Sequence, residues 1–125
     1  MFEGATAHAT IAVSDLDRAR RFYEDTLGLK AREERTDGVS YETGGTWFLV
    51  YPSQFGGTNQ ATCMTFEVRD LDAAMDDLLG RGVTFEQYDL PGLKTDERGV
   101  AEIQDVRGAW FKDPDGNILA VVQMT

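Results

Sequence analysis

The residues able to do chemistry are few, and most of them fall in predicted strands. The chain has one histidine, His8, and one cysteine, Cys63. A histidine can bind a metal or act as a general base, and a thiolate can bind a soft metal or act as a nucleophile. Trp47, Tyr51 and Trp110 add flat aromatic surfaces able to stack on a ligand. These side chains allow a metal site or an aromatic groove, and the surrounding elements decide between them.

The sequence contains two copies of one pattern. Residues 13–17 (VSDLD) match residues 68–72 (VRDLD), and a glycine follows each motif at nearly the same distance, Gly28 in the first copy and Gly82 in the second. An apolar, β-branched run precedes each motif, which is typical of a strand. Apolar residues at three- and four-residue spacings follow it, which indicates a helix that a glycine can close. The predicted strand–helix pairs are 7–13 with 16–27, and 61–68 with 71–79.

Further strands are predicted after each helix. Asp113-Pro-Asp-Gly-Asn117 predicts a tight turn, because Pro fixes φ while Gly and Asn tolerate positive φ. Residues 53–59 join the halves, and residues 90–99 form a loop able to cover a site. The pattern predicts one α+β domain over residues 1–125, with two βαβββ modules at about 5–53 and 60–125. Curved mixed sheets surround a groove, with the helices on the outer side. The predicted strands are 31–34, 39–43, 46–51, 84–88, 100–106, 109–112 and 118–123.

Composition excludes several classes of protein. The net charge of −10 disfavours a nucleic-acid partner, because an acidic surface repels phosphate backbones. No apolar run reaches the length of a membrane-spanning helix, and the first residues lack the pattern of a signal peptide. A single cysteine forms no disulfide within the chain. The cytoplasm is therefore the expected location, with no membrane partner.

Two stretches resemble the vicinal oxygen chelate superfamily, which includes glyoxalase I, extradiol dioxygenases, methylmalonyl-CoA epimerase and bleomycin-resistance proteins. Residues 8–29 (HATIAVSDLDRARRFYEDTLGL) resemble its first module, and residues 110–119 (WFKDPDGNIL) resemble its closing motif. The resemblance covers nearly the whole chain. It implies a divalent metal held by side chains from the first and last strand of each module.

The metal positions implied by the resemblance are mostly unsuitable here. His8 matches one position, and Cys63 replaces the ligand at the next. The remaining positions fall at Leu49 (or Phe48, if the register slips by one) and at Ala120, which carry no donor atom. A catalytic zinc needs about three protein ligands. We therefore expect no metal and no cofactor.

Strand alternation then predicts which side chains face the groove. The set is apolar and aromatic with a few polar groups, which suits a flat, largely apolar ligand. His8 is the only candidate catalytic base. The predicted ligand-binding residues are His8, Thr10, Trp47, Leu49, Tyr51, Cys63, Thr65, Trp110 and Ala120.

Two functions follow from this reading. The first is a metal-independent binding protein that sequesters an antibiotic or another aromatic natural product, as bleomycin-resistance proteins do. Its ligand would be flat and aromatic, with a cationic group as an open alternative, and the resemblance implies a homodimer. The second is an enzyme: a lyase, isomerase or dioxygenase of the glyoxalase type with a rearranged or absent metal site. We favour the binding protein over the enzyme.

Overall fold

Two four-stranded mixed sheets, one from each half of the chain, form the framework of a computed structural model that describes residues 1–124. The elements are β1 (Thr10–Val13), α1 (Leu16–Arg20), a π-helical segment (Arg21–Thr26), β2 (Ala31–Arg35), β3 (Gly38–Thr43), β4 (Thr46–Pro52), β5 (Thr62–Glu67), α2 (Leu71–Gly80), β6 (Asp89–Leu90), β7 (Leu93–Lys94), β8 (Ala101–Ile103), β9 (Val106–Lys112) and β10 (Ile118–Met124).

The strand order is β1-β4-β3-β2 in the first sheet and β5-β10-β9-β8 in the second. The pairs β1–β4 and β5–β10 are parallel, whereas the other neighbours in these two sheets are antiparallel. The predicted α+β class with two βαβββ units is confirmed.

The repeated motif places a capping aspartate before each helix. The Asp15 carboxylate accepts a hydrogen bond from the backbone N–H of Arg18, and the Asp70 carboxylate accepts one from Ala73. Such caps satisfy amides that have no partner inside the helix. Gly28 follows the first helix with φ of +71°, the left-handed conformation that glycine adopts without strain. The sequence signals for where the helices begin and end are therefore local ones.

The first helix changes from α- to π-helical at Arg21. The backbone N–H of Leu27 donates to the carbonyl of Phe22, five residues earlier. This wider turn lets two consecutive aromatic residues reach the core, since Tyr23 is fully buried and Phe22 packs against Phe111. Hydrophobic spacing alone predicts the helix but not this widening.

A buried carboxylate joins the two modules. Asp113, 4% exposed, accepts hydrogen bonds from the Tyr23 hydroxyl at 2.9 Å and from Asn117 Nδ2 at 2.8 Å. Asn117 Nδ2 also donates to the carbonyl of Ala12 in β1. The turn predicted at residues 113–117 therefore connects the second module to the first helix and first strand.

The strand assignments after α2 need correction. Within the predicted strand 84–88, only Phe85 forms a bridge, to Phe111, because the outer edge of β9 is shared between this segment and β8. The predicted strand 100–106 ends at Ile103, since Gln104 turns the chain with φ of +56° and the next strand starts at Val106. The predicted loop 90–99 overlaps a short hairpin formed by β6 and β7.

Each sheet has a core face and an open face. The core faces of both sheets and both helices contribute to one hydrophobic cluster. The sheets come together near their edge strands β1 and β5, where Ala9 and Met64 line a common cleft. We use "open face" for the side of each sheet turned away from the hydrophobic cluster. Neither helix in the described part of the chain has the length and apolarity needed to cross a bilayer.

Candidate functional site

The open face of the first sheet carries the aromatic residues predicted for the groove. Phe48 and Val50 are buried in the core, so Trp47, Leu49 and Tyr51 lie on the opposite side of β4. The register left open between Leu49 and Phe48 is thereby fixed. Thr10 pairs with Leu49 across the sheet, so it lies on the same open face.

The indole of Trp47 is enclosed by two other side chains. The His8 imidazole stacks on it, with 3.6 Å between ring centroids and 18° between planes. The guanidinium carbon of Arg32 lies 4.8 Å from the centroid of the indole. Because an imidazole this close leaves no room for a guanidinium on the same side, Arg32 covers the other face. A ligand therefore meets the edge of Trp47, unless it displaces Arg32.

The hydrogen bond made by His8 fixes its tautomer. Its Nδ1 lies 2.7 Å from the carbonyl oxygen of Trp47. A carbonyl only accepts, so Nδ1 carries a proton and donates it. In the neutral imidazole, Nε2 then holds the free lone pair, which is the atom able to accept a proton or bind a polar ligand group.

A cavity lies beside the Trp47 stack. Its volume is about 330 Å³, and Ser40 and Leu49 form part of its wall. Ser40 is 2% exposed, and its hydroxyl accepts a hydrogen bond from Arg32 at 3.4 Å. The remaining lining residues are Arg32, Glu33, Arg35, Asp37 and Trp47.

The open face of the second sheet brings together three other predicted residues. Thr65, Ala120 and Trp110 pair side by side across β5, β10 and β9. Trp110 is half-buried, and Tyr88 packs edge-on against its ring, with 5.7 Å between centroids. Lys112, further along β9, forms an ion pair with Glu86 at 3.4 Å. This face therefore offers an apolar floor with a neutralised ion pair at one end.

Cys63 does not face the groove, as alternation along the strand predicted, but packs against the core. The pairing of β5 with β10 shifts between Ile118 and Leu119, so Cys63 sits in a β-bulge. It packs against the hydrophobic core, and its Sγ donates to the carbonyl of Ile118. Burial, and then the nearby Asp113, raise the pKa of the thiol, which favours its protonated form. This geometry argues against a nucleophilic or metal-binding thiolate.

The sequence prediction missed three residues that lie beside the two tryptophans: Arg32 and Ser40 near Trp47, and Tyr88 against Trp110. Arg32 falls in the predicted strand 31–34, but β2 shifts its register between Ala31 and Glu33. Simple alternation through an irregular strand gives no reliable facing. The position of Arg32 over Trp47 therefore required the tertiary structure.

The sequence matches the model of a known protein family. Residues 5–121 match the model described as the glyoxalase/bleomycin resistance protein/dioxygenase superfamily. The chain belongs to this superfamily. The resemblance inferred from residues 8–29 and 110–119 is confirmed.

Solved structures share the superfamily fold. A glyoxalase family protein from Enterococcus faecalis is 21% identical, with 98% of this chain and 99% of that chain covered and a TM-score of 0.72. TnmS3, an antibiotic binding protein from Streptomyces sp. CB03234, is 22% identical, with coverages of 97% and 98% and a TM-score of 0.70. FosX, a fosfomycin resistance protein from Listeria monocytogenes, is 14% identical, with coverages of 97% and 93% and a TM-score of 0.70. At these identities the likeness shows the fold alone.

The residues at the superfamily's metal positions do not fit a metal. Leu49 and Ala120 carry no donor atom, and the thiol of Cys63 is turned to the core. His8 is then the remaining donor. Among residues 1–124, no group of three or more His, Cys, Asp or Glu side chains is arranged to hold a metal ion. A catalytic zinc needs about three protein ligands, so the donors at these positions are too few to hold one.

Proposed function

We propose that this protein is a metal-independent small-molecule-binding protein that sequesters an antibiotic or another aromatic natural product. The observation that carries the proposal is an aromatic cluster around Trp47 on an open sheet face where His8 is the one donor left at a metal position. Among proteins of this fold, TnmS3 is described as antibiotic binding and FosX as a fosfomycin resistance protein, which supports the proposal. The proposed location is the cytoplasm. The single cysteine, Cys63, is free, and free thiols are typical of that reducing compartment.

The open faces favour binding over catalysis. Two of the metal positions implied by the superfamily hold Leu49 and Ala120, which offer apolar contact instead. Aromatic and aliphatic walls with a few polar groups are typical of ligand pockets. His8 keeps one nitrogen free, so a metal-free proton transfer is the enzymatic alternative that the geometry allows.

The proposal includes a homodimer. Ile103, Val106 and Met124 pair side by side on the open face of the second sheet. Ile103 is 48% exposed and Met124 is 53% exposed. Contiguous exposed apolar residues favour contact with another surface. A second copy of the chain that covers this patch would lie over the open face of each protomer and deepen the groove there.

An aspartate in this patch is expected to shift the protein toward monomers, because a dimer would bury the new charge without a partner. We expect Ile103→Asp to lower the dimer fraction measured by analytical ultracentrifugation. Leu79→Asp is the matched control, since Leu79 has the same 48% exposure but lies on α2. Equal dimer fractions in the two variants, or a monomeric parent protein, would contradict this interface.

The test of the proposed function begins with protein purified without a histidine tag. We expect metal content near zero per chain after dialysis. Calorimetric titration with anthraquinone-type polycycles should reveal saturable binding, and the bound compound should be recovered unchanged. Bleomycin, titrated in parallel, tests the cationic alternative. Near-stoichiometric metal that survives dialysis would overturn the metal-independent proposal. Chemical conversion of the ligand would favour a glyoxalase-type lyase, isomerase or dioxygenase, or a metal-free enzyme that uses His8.

A further inference from the structure

Some basic side chains on the open faces form ion pairs with carboxylates, and Arg32 does not. Lys112 forms an ion pair with Glu86, and Arg35 forms ion pairs with two carboxylates close to it in sequence. Arg32 forms no ion pair with a carboxylate anywhere in the described residues 1–124; its contacts there are the Ser40 hydroxyl and the Trp47 ring. In a chain of net charge −10, this leaves one guanidinium without an ion-pair partner on the face proposed to bind the ligand.

Arg32 is exposed, and two contacts orient its guanidinium before any ligand arrives. Its guanidinium lies over Trp47, whose opposite face is supported by His8. Its Nη1 donates to the hydroxyl of the buried Ser40. A guanidinium has five N–H donors in a planar fork, so one hydrogen bond to Ser40 leaves others free for a bidentate partner. Such preorganisation lowers the entropic cost of binding a planar oxyanion.

The space next to this guanidinium suits a small charged group joined to an apolar body. The cavity of about 330 Å³ places Leu49 and the edge of Trp47 beside Arg32 and Ser40. Glu33 and Asp37 also line it, but both are engaged by Arg35. Glu42, which pairs with Trp47 across the sheet, is the other nearby carboxylate, and it is exposed to solvent.

The same geometry disfavours a cationic ligand at this position. The indole face that would attract a cation is already covered by Arg32, and the opposite face is covered by His8. A second cation would meet the positive charge of Arg32 at short range.

We propose that Arg32 binds an oxyanion, a carboxylate or phosphonate carried by an aromatic ligand, while Leu49 and the edge of Trp47 contact the ligand's apolar body. This inference rests on the proposed binding function and names the charge of its ligand. The planar guanidinium can donate paired hydrogen bonds to two oxygens of either a carboxylate or a phosphonate.

The test compares probes that share one ring system and differ only in charge. Anthraquinone-2-carboxylate and anthraquinone-2-phosphonate are the two anions, 2-carboxamide is the neutral analogue, and 2-aminomethyl is the cation. We expect the two anions to bind most tightly by calorimetry, and the ratio between them identifies the preferred oxyanion. Raising the salt concentration should weaken the anions more than the amide, because exposed charges are screened.

Arg32→Gln should reduce affinity for the anions by roughly tenfold to a hundredfold, the range for a lost charged hydrogen bond, and leave the amide nearly unchanged. Arg21→Gln is the matched control, since Arg21 is exposed on the π-helical segment and removes the same net charge. Arg32→Lys should retain part of the effect, because it keeps the charge but loses the planar fork.

The outcomes separate this inference from the proposed function. The oxyanion site is overturned if all probes bind equally or the amine binds best, and if Arg32→Gln behaves like Arg21→Gln. The proposed aromatic groove would still stand in that case. Failure of every probe to bind at millimolar concentration would contradict both proposals.

Discussion

Replacing Asp113 by alanine is expected to lower the free energy of unfolding by about 3–5 kcal/mol, because it removes the acceptor of several buried hydrogen bonds. The Tyr23 hydroxyl and the backbone N–H of Asn117 donate to this carboxylate at 2.9 Å, and both bonds are buried. Burial, and then the charge of Asp113, raise the pKa of Tyr23, so its hydroxyl stays protonated and would lose its acceptor. Urea denaturation followed by tryptophan fluorescence measures the change.

Two further variants make this expectation decisive. Asp89→Ala removes a carboxylate from an exposed position and should change stability by less than about 0.5 kcal/mol. Tyr23→Phe removes one donor and should cost about 1–2 kcal/mol, which remains measurable even if Asp113→Ala does not fold. If both Asp113→Ala and Tyr23→Phe stay within 0.5 kcal/mol of the parent (roughly the effect of a surface change), the buried network does not join the modules energetically.

Trp47→Ala is expected to weaken binding of an anthraquinone-type ligand by at least about tenfold, or roughly 1.4 kcal/mol. The indole supports Arg32 on one face and His8 on the other, so its loss removes both the aromatic edge and the support for the guanidinium. Aromatic contacts also add roughly 0.5–1.5 kcal/mol beyond burial. Calorimetric titration of parent and variant measures the ratio of dissociation constants.

His8→Ala and Trp47→Phe distinguish ligand contact with the Trp47 ring from chemistry at His8. Trp47→Phe keeps a ring at this position and should retain most of the affinity. His8→Ala should cost less than Trp47→Ala, since it leaves the indole and Arg32 in place. Unchanged affinity in Trp47→Ala would place the ligand elsewhere, with the Trp110 and Tyr88 face of the second sheet as the next candidate.

Much of the fold is predictable because its signals are local. The VSDLD and VRDLD motifs each place an aspartate directly before a helix, and both aspartates cap it. Period-two alternation in β4 separates Phe48 and Val50 from Trp47, Leu49 and Tyr51, since a regular strand turns successive side chains to opposite faces. These features depend on neighbours within one turn or one strand.

The local sequence pattern does not show which of two segments will pair with the same strand edge. The edge of β9 pairs with β8 at one end, and at the other end the predicted strand 84–88 contributes only the Phe85–Phe111 bridge. The same limit applies to the first helix, where packing of Phe22 against Phe111 accompanies a π-helical turn.

The sequence by itself determined the repeat, the helix caps, the fold class and the absence of donor atoms at Leu49 and Ala120, because each depends on residue type and short-range order. The tertiary structure decided three further things: that a bulge turns Cys63 to the core, that Asp113 joins the modules, and that Arg32 covers Trp47. Each of these depends on how separate strands and helices align in space. A register shift of one residue changes the facing of a side chain without leaving any signal in the local pattern.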